Sequence, residues 1–378
     1  MSHVLAGVAG VLLIAVVLRD AFEAVILPQT ANRSVRLARL FYIATWGPWI
    51  ALGAVVNRSK RREAFLAVYG PLSILLLFVF WALCLILGFA LLQWSFGSHL
   101  ELLHGEKTNF LLDLYMSGTN FFTLGLGDVT PQSTVSRLLT VIEAGMGFGF
   151  LAAIISYLPV LYQAFSRREL SISLLDARAG SPPTAEMLFR RHGDDSPAFE
   201  RQLAEWERWA AELMESHLSY PTLAYYRSQH QNQSWLAALT TILDTSAFTM
   251  ATFDGSVARQ ARLTFAMARH AVVDLSQIFH AKPDGGARDR LPDGALARMC
   301  EHARRLGLEM RETTEAKTRL AELRRFYEPY VLALGRRFHL VVPDWSPEQE
   351  HLDNWKTSAW QRTLAGQSVS DLHGDGDG

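Results

Sequence analysis

Residues Asn109–Pro131 read NFLLDLYMSGTNFFTLGLGDVTP, and their reading decides the fold. Phe110–Phe122 is a short apolar helical stretch of about 20 Å, too short to cross a hydrocarbon core of about 30 Å. It runs directly into Thr123-Leu124-Gly125-Leu126-Gly127-Asp128. Thr and Gly alternate there with Leu, so every second residue can take a backbone conformation unusual for a side chain with a Cβ. Such a strand can point successive carbonyls the same way.

The stretch lies between two apolar spans. Pro71–Trp94, PLSILLLFVFWALCLILGFALLQW, carries no charge over 24 residues, about 36 Å as a helix. Trp94 and Phe96 stand where an interfacial aromatic belt is expected. The second span runs from about Val135 to Phe165, with glycines at 145, 147 and 149 and Pro159 near its end. A third, Val4–Leu27, reads as one helix with a small polar patch in which Arg19 and Glu23 are four apart and can pair. It is not expected to be a cleaved signal peptide, because MSH lacks a basic start and no A-x-A-type site follows. Phe41–Val56 has basic flanks, Arg33, Arg36 and Arg39 before it and Arg58, Lys60, Arg61 and Arg62 after it. Basic flanks stay on the cytoplasmic side, so the segment is expected at the interface or as a re-entrant dip. Three crossings are preferred over four.

Composition alone misleads. At 378 residues, 49% apolar and a net charge of −1, the chain looks like an ordinary soluble protein, with no bulk electrostatic case for nucleic acid. Cys84 and Cys300 are too few for a disulfide framework or a Cys-rich zinc module. The charge is divided unevenly, however. Residues 1–165 hold 10 Lys/Arg and 8 Asp/Glu, and residues 166–378 hold 26 and 29. A membrane half is joined to a polar half. In the second half Leu203, Trp206, Trp209, Ala210, Leu213 and His217 recur at helical spacing, as do Ala261, Phe265, Ala268, Val272, Leu275 and Phe279. Leu236, Leu239 and Leu243 form a third such pattern, and Leu320, Leu323, Tyr327, Tyr330 and Leu334 a fourth. No alternating run argues for a sheet. The fold class is therefore all-α: two apolar spans flanking a short helix and the Thr123–Asp128 strand, with an extra N-terminal membrane helix before them and an all-helical domain after them. The expected divisions are 1–68, membrane helix and interfacial or re-entrant segment; 69–165, the paired spans with the short helix between them; 166–184, linker; 185–365, helical domain; and 366–378, disordered tail.

TLGLGD resembles the TVGYGD signature of potassium channels, in that family's frame of outer helix, pore helix, filter and inner helix, so the resemblance implies that residues 69–165 are a membrane pore domain. The resemblance covers about residues 70–165. It implies that Thr123 offers hydroxyl and carbonyl, that Leu124, Gly125 and Leu126 offer carbonyls to K+, and that Gly127 completes the outer turn. Four copies around an axis would make rings of oxygen that replace an ion's hydration shell. The pore helix would aim its negative end at a cation. The family anchors the filter aspartate, here Asp128, to a pore-helix aromatic, and Tyr115 occupies that place. It commonly has a hinge glycine 19 residues beyond that aspartate, which falls on Gly147. Gly147, Pro159 and the intramembrane carboxylate Glu143 are gating candidates; the other readings are close helix packing at the glycines, a helix about to end at Pro159, and a Glu143 that pairs locally or braces the pore helix. Two departures stand out: Leu126 replaces the usual tyrosine, and Phe122 a common threonine. Leucine at the Leu126 position also occurs in some second pore loops of two-pore-domain potassium channels.

The resemblance implies a homotetramer in the cell membrane, passing K+ passively, with no cofactor beyond K+ in the filter and the helical domain in the cytoplasm. A lipid bilayer and further copies of the chain are the expected partners, together with a small-molecule or protein regulator of the helical domain. Two other readings stay open, a weakly selective cation channel and a non-conducting sensor or scaffold. Arg33, Arg36 and Arg39 read as a basic interfacial face, and His99 and His104 as solvated outer-loop residues, with pH sensing near the mouth as the other reading. In the second half there is no GxGxxG after a strand, no catalytic triad and no paired carboxylates, so an enzyme is not expected. His192, Asp194 and Asp195 make no convincing metal cluster. Ser219–Trp235 is dense in aromatic and polar residues, and Tyr225, Tyr226, Arg227, His230 and Trp235 are candidates for a ligand pocket.

Overall fold

A computed structural model describes residues 2–25, 37–56, 59–97, 100–102, 109–192, 196–230, 232–283, 289–291, 294–304, 311 and 313–346. Arg33, Arg36, Arg58, His99, His104, Asp194, Asp195 and the tail 366–378 lie outside them. The chain divides into two units, Met1–Ala164 with Ser219–Tyr226, and Phe165–Leu218 with Arg227–Gly378.

In the first unit, α1 (Ser2–Val25) and α2 (Leu37–Ala54) precede α3 (Ser59–Ser95), α4 (Phe110–Phe121) and the start of α5 (Thr134–Ala179). Among the described residues three helices are long and apolar enough to cross a membrane, within His3–Ala24, Arg61–Ser95 and Thr134–Ala179. The helix α2 is not among them. Two short strands, β1 (Leu100–Leu102) and β2 (Val129–Pro131), pair antiparallel, with Glu101 opposite Thr130. Three residues each is too short for an alternating pattern to show in sequence.

Glycines let α1 lie close along α3. A Cβ at Gly10 would come 2.7 Å from the Gly88 carbonyl oxygen, and one at Gly88 would come 2.6 Å from Ile14. A buried carboxylate ties three helices together. Asp20 of α1 accepts from Trp81 Nε1 of α3 at 2.9 Å and from the backbone N–H of Ala38 in the first turn of α2, also at 2.9 Å. The positive end of α2 suits that carboxylate. Arg19 pairs with Glu23 at 3.0 Å, as their spacing suggests.

Two span boundaries differ from the sequence reading. The outer helix does not start at Pro71 but twelve residues earlier, at Ser59. Packing of Leu66 and Tyr69, both buried, outweighs the one helical hydrogen bond that Pro71 removes. The stretch 166–184, expected as a linker, is helical as far as Ala179. Phe165, Arg168, Ile172, Leu175 and Ala179 are buried at spacings of three and four, so an amphipathic stripe carries α5 past its apolar span.

The second unit takes the last part of α5 and then α6 (Ala185–His192), α7 (Ser196–Ser219, whose last residue belongs to the first unit), α8 (Trp235–Thr252), α9 (Gly255–Ile278), α10 (Ala295–Arg304), α11 (Thr313–Arg325) and α12 (Glu328–Phe338). The helix α8 is buried along its whole length, which makes it the core around which the unit is built. Its polar residues bond locally: Thr240, Thr241 and Thr249 donate to the carbonyls of Leu236, Ala237 and Thr245. The pattern Leu320–Leu334 is two helices rather than one, because Pro329 cannot continue α11 and instead opens α12. Asp244 of α8 holds Arg290 by a fully buried pair at 2.5 Å and accepts from the Tyr327 hydroxyl at 2.6 Å. Arg290 also reaches Glu328 at 3.3 Å and donates to the Pro343 carbonyl at 2.9 Å.

Candidate functional site

The pore helix α4 starts where its sequence supplies a cap: the Asn109 side chain accepts from the backbone N–H of Leu112 at 3.0 Å. It ends at Phe122, after which the chain cannot stay helical through alternating glycines. The last backbone donors fold back onto the helix, Thr123 N–H to Asn120 at 2.9 Å and Leu124 N–H to Thr119 at 2.7 Å.

Beyond that point the backbone alternates in hand. Thr123 has φ +55°, Gly125 +56° and Gly127 +78°, whereas Leu124 and Leu126 keep negative φ. Glycine takes the left-handed region freely, and Thr123 takes it at a steric cost. Alternation of this kind turns successive carbonyls to one side. All residues from Phe122 to Gly127 are exposed in the single chain, Leu124 at 62% and Leu126 at 64%. Apolar side chains so exposed, on irregular backbone between membrane-length helices, need a protein or water-lined neighbour.

Asp128 is held from the pore helix. The Tyr115 hydroxyl donates to its Oδ2 at 2.8 Å, and its Oδ1 accepts from the Val129 N–H at 3.1 Å. On the other side Arg137 donates to the Pro131 carbonyl at 3.1 Å.

The gating candidates fall in different surroundings. Gly147 touches the pore helix: a Cβ there would lie 1.9 Å from the Phe121 carbonyl oxygen. Gly145 and Gly149 have open space around them. Pro159 lies inside α5, which runs on through it. Glu143 is fully buried and hydrogen-bonded to Ser117 of the pore helix. Ser117, Asn120 and Thr140 escaped the sequence reading. Asn120 donates to Thr140 at 3.5 Å, and the Ser117 hydroxyl donates to the Ile86 carbonyl of α3 at 2.7 Å. Pore-helix residues 117, 120 and 121 and inner-helix residues 140, 143 and 147 are thus spaced as facing helical stripes. The spacing was visible, but nothing in it named the partner.

The residues proposed for a ligand pocket serve as packing. In the first unit Tyr225 stacks on Tyr42 with ring centroids 4.9 Å apart and lies 5.2 Å from Trp46, while Tyr226 packs against Gly70. In the second unit Arg227 donates to the carbonyls of Phe338 and His339 at 3.0 Å each, and Trp235 is buried between His217 and Phe338. His230 is exposed. Among the described residues no three His, Cys, Asp or Glu side chains gather as a metal site.

Comparison with known proteins agrees with the pore region. Residues 74–163 match the model of a family described as an ion channel, a stretch that runs from within α3 through α4 and Thr123–Asp128 into α5. The chain is similar to the uncharacterized membrane protein YdjJ of Bacillus subtilis (strain 168), 29% identical over 183 residues. Those residues are 47% of this chain and 53% of that protein, so the chain spans about half the length of the relative it matches. No solved structure matches. The family match supports an ion-channel function for the pore region, and the relative supports a membrane location.

Proposed function

We propose that four copies of this chain assemble in the cell membrane into a potassium-selective channel that conducts passively through Thr123–Gly127. The observation that carries this reading is the alternation of φ at Thr123, Gly125 and Gly127, which suits rings of carbonyl oxygens stacked along an axis. One chain supplies a quarter of each ring, hence the tetramer. The Thr123 hydroxyl and the carbonyls of Thr123–Gly127 hold K+, and Asp128, braced by Tyr115, keeps the mouth in place. The filter enters from outside, so the second unit lies in the cytoplasm, where it is a candidate assembly or regulatory domain. Gating resides in the inner helix, at Gly147, Glu143 and Pro159, or in the filter itself.

A second reading, weak selectivity among cations, rests on Leu126. It offers no hydroxyl to brace the filter from behind, and Tyr115 takes on that task only at Asp128. Purified chain in liposomes tests both. Reversal potentials in opposed K+ and Na+ gradients should follow K+, and Gly125→Ala, with a Cβ at φ +56°, should abolish the flux. Reversal near zero selects the weakly selective channel. Absence of flux in the parent chain ends the channel reading.

A further inference from the structure

A polar cluster lies buried among three helices, away from the filter carbonyls. Ser117 of α4 and Glu143 of α5 are both fully buried. The Ser117 hydroxyl lies 2.7 Å from the Ile86 carbonyl oxygen of α3 and also within hydrogen-bonding reach of Glu143 Oε1. A hydroxyl has one hydrogen and can accept with its lone pairs. The Ile86 carbonyl can only accept, so the serine hydrogen goes there. The contact with Glu143 then closes only when the carboxyl O–H donates to Ser117 Oγ. An ionised Glu143 would instead leave one of two close oxygen pairs without a hydrogen and bury a charge. Asp113, one turn before Ser117 on α4, is also fully buried, and the neighbouring Asn120 and Thr140 are neutral. Isolated charge in such a place is costly, and a neutral acid is not.

We propose that Glu143, as a neutral carboxylic acid, is the positioning residue of the pore helix. It donates to Ser117, Ser117 donates to Ile86, and this chain of two hydrogen bonds ties inner, pore and outer helices at one point. The pore helix is held to α5 in sequence by Glu143–Ser117, Asn120–Thr140 and the close approach of Gly147 to Phe121. The first of these lies six residues before Thr123, so it sets the angle at which the helix delivers the chain to the filter. The link to selectivity rests on the reading of Thr123–Gly127 as a filter; the fixing of the helix does not.

The test uses the full-length protein with two readouts, reversal potential in liposomes and amide hydrogen exchange over Phe110–Phe121. Glu143→Gln keeps a neutral donor of nearly the same size. It should exchange within about twofold of the parent and keep its reversal potential. Glu143→Ala and the gentler Ser117→Ala break the chain of donors. Each should raise pore-helix exchange about tenfold, the factor that corresponds to losing one hydrogen bond of about 1.4 kcal/mol, and shift the reversal potential toward zero. If Glu143→Gln behaves like Glu143→Ala, a neutral donor is not what the site needs, and the proposal fails. It fails equally if Ser117→Ala leaves exchange unchanged, or if exchange rises while selectivity stays intact. A parent chain that passes no ions overturns the filter reading instead, and the exchange pattern still decides whether Glu143 fixes the helix.

Discussion

At Gly147 a single hydrogen atom in place of a methyl group decides how closely two helices meet. The pore helix ends with the Phe121 carbonyl against the inner-helix backbone, and a Cβ at 147 would lie 1.9 Å from that oxygen. The obstacle is backbone at a helix end, which cannot swing aside like a side-chain tip. Gly147→Ala should therefore lower the melting temperature of the detergent-solubilised protein and, in liposomes, silence it. Gly145→Ala and Gly149→Ala meet open space within the chain and should keep or raise the melting temperature, since each gains about 1 kcal/mol of helix propensity. Equal behaviour of all three variants would show that the approach at 147 does not matter. The register of a resembling family offers Gly147 as a hinge, and a glycine there can equally serve close helix packing. Which of the three glycines meets a neighbour was not legible, because the sequence does not show that Phe121 lies against Gly147 alone.

Helices were legible where their own periodicity reports burial, and illegible where a distant partner supplies the reason. The stripe Leu203–His217 reappears as the buried face of α7. The short helix Phe110–Phe121 and the long helix after it lie where the sequence pattern puts them, and positive φ falls on alternate residues from Thr123 to Gly127. By contrast, the aromatic residues after Ser219 looked like pocket walls because nothing local pairs with them. In the first unit the short 3₁₀ turn Pro221–Tyr225 brings Tyr225 against α2 and α3, at 4.9 Å from Tyr42, 5.2 Å from Trp46 and 5.5 Å from Tyr69. More than 150 residues separate these partners in sequence, and no spacing rule reaches so far. Tyr225 is buried, so truncation should cost what large aromatic deletions in cores cost, about 3 kcal/mol. Tyr225→Ala should shift the unfolding midpoint accordingly, whereas Tyr225→Phe, which keeps the ring stack, should stay within about 1 kcal/mol of the parent. Equal losses in the two variants would mean that the hydroxyl, not the stack, holds the turn.

The whole molecule joins units that answer to different solvents. The first exposes apolar helix faces suited to lipid; only 11% of the apolar window of α5 is buried in the chain. The second buries titratable side chains in a core of its own, so its stability answers to pH. Within it His217 is fully buried. Its Nδ1–H donates to the Leu213 carbonyl at 2.8 Å, and its Nε2 faces Arg168 Nη1 at 3.3 Å, an arrangement that suits only the neutral ring. Burial, helped by the Arg168 charge and opposed by the Leu213 carbonyl, holds its pKa down to about 3. The unfolded chain protonates histidine near 6.5, so the stabilisation is complete above about pH 6.5 and is lost as pH falls toward about 3, by up to about 1.4 kcal/mol per pH unit. Asp244 acts in the other direction: burial, opposed by Arg290, raises it to about 6, which favours the folded state as pH falls from about 6 toward 3.8. The net slope mixes the two, and the difference between chains isolates His217. Tryptophan-fluorescence melting between pH 7 and pH 4 should show the parent losing stability relative to His217→Gln, with the gap opening below about pH 6.5. Parallel curves would mean that His217 takes up its proton without unfolding the site, and that Arg168 gives way to it.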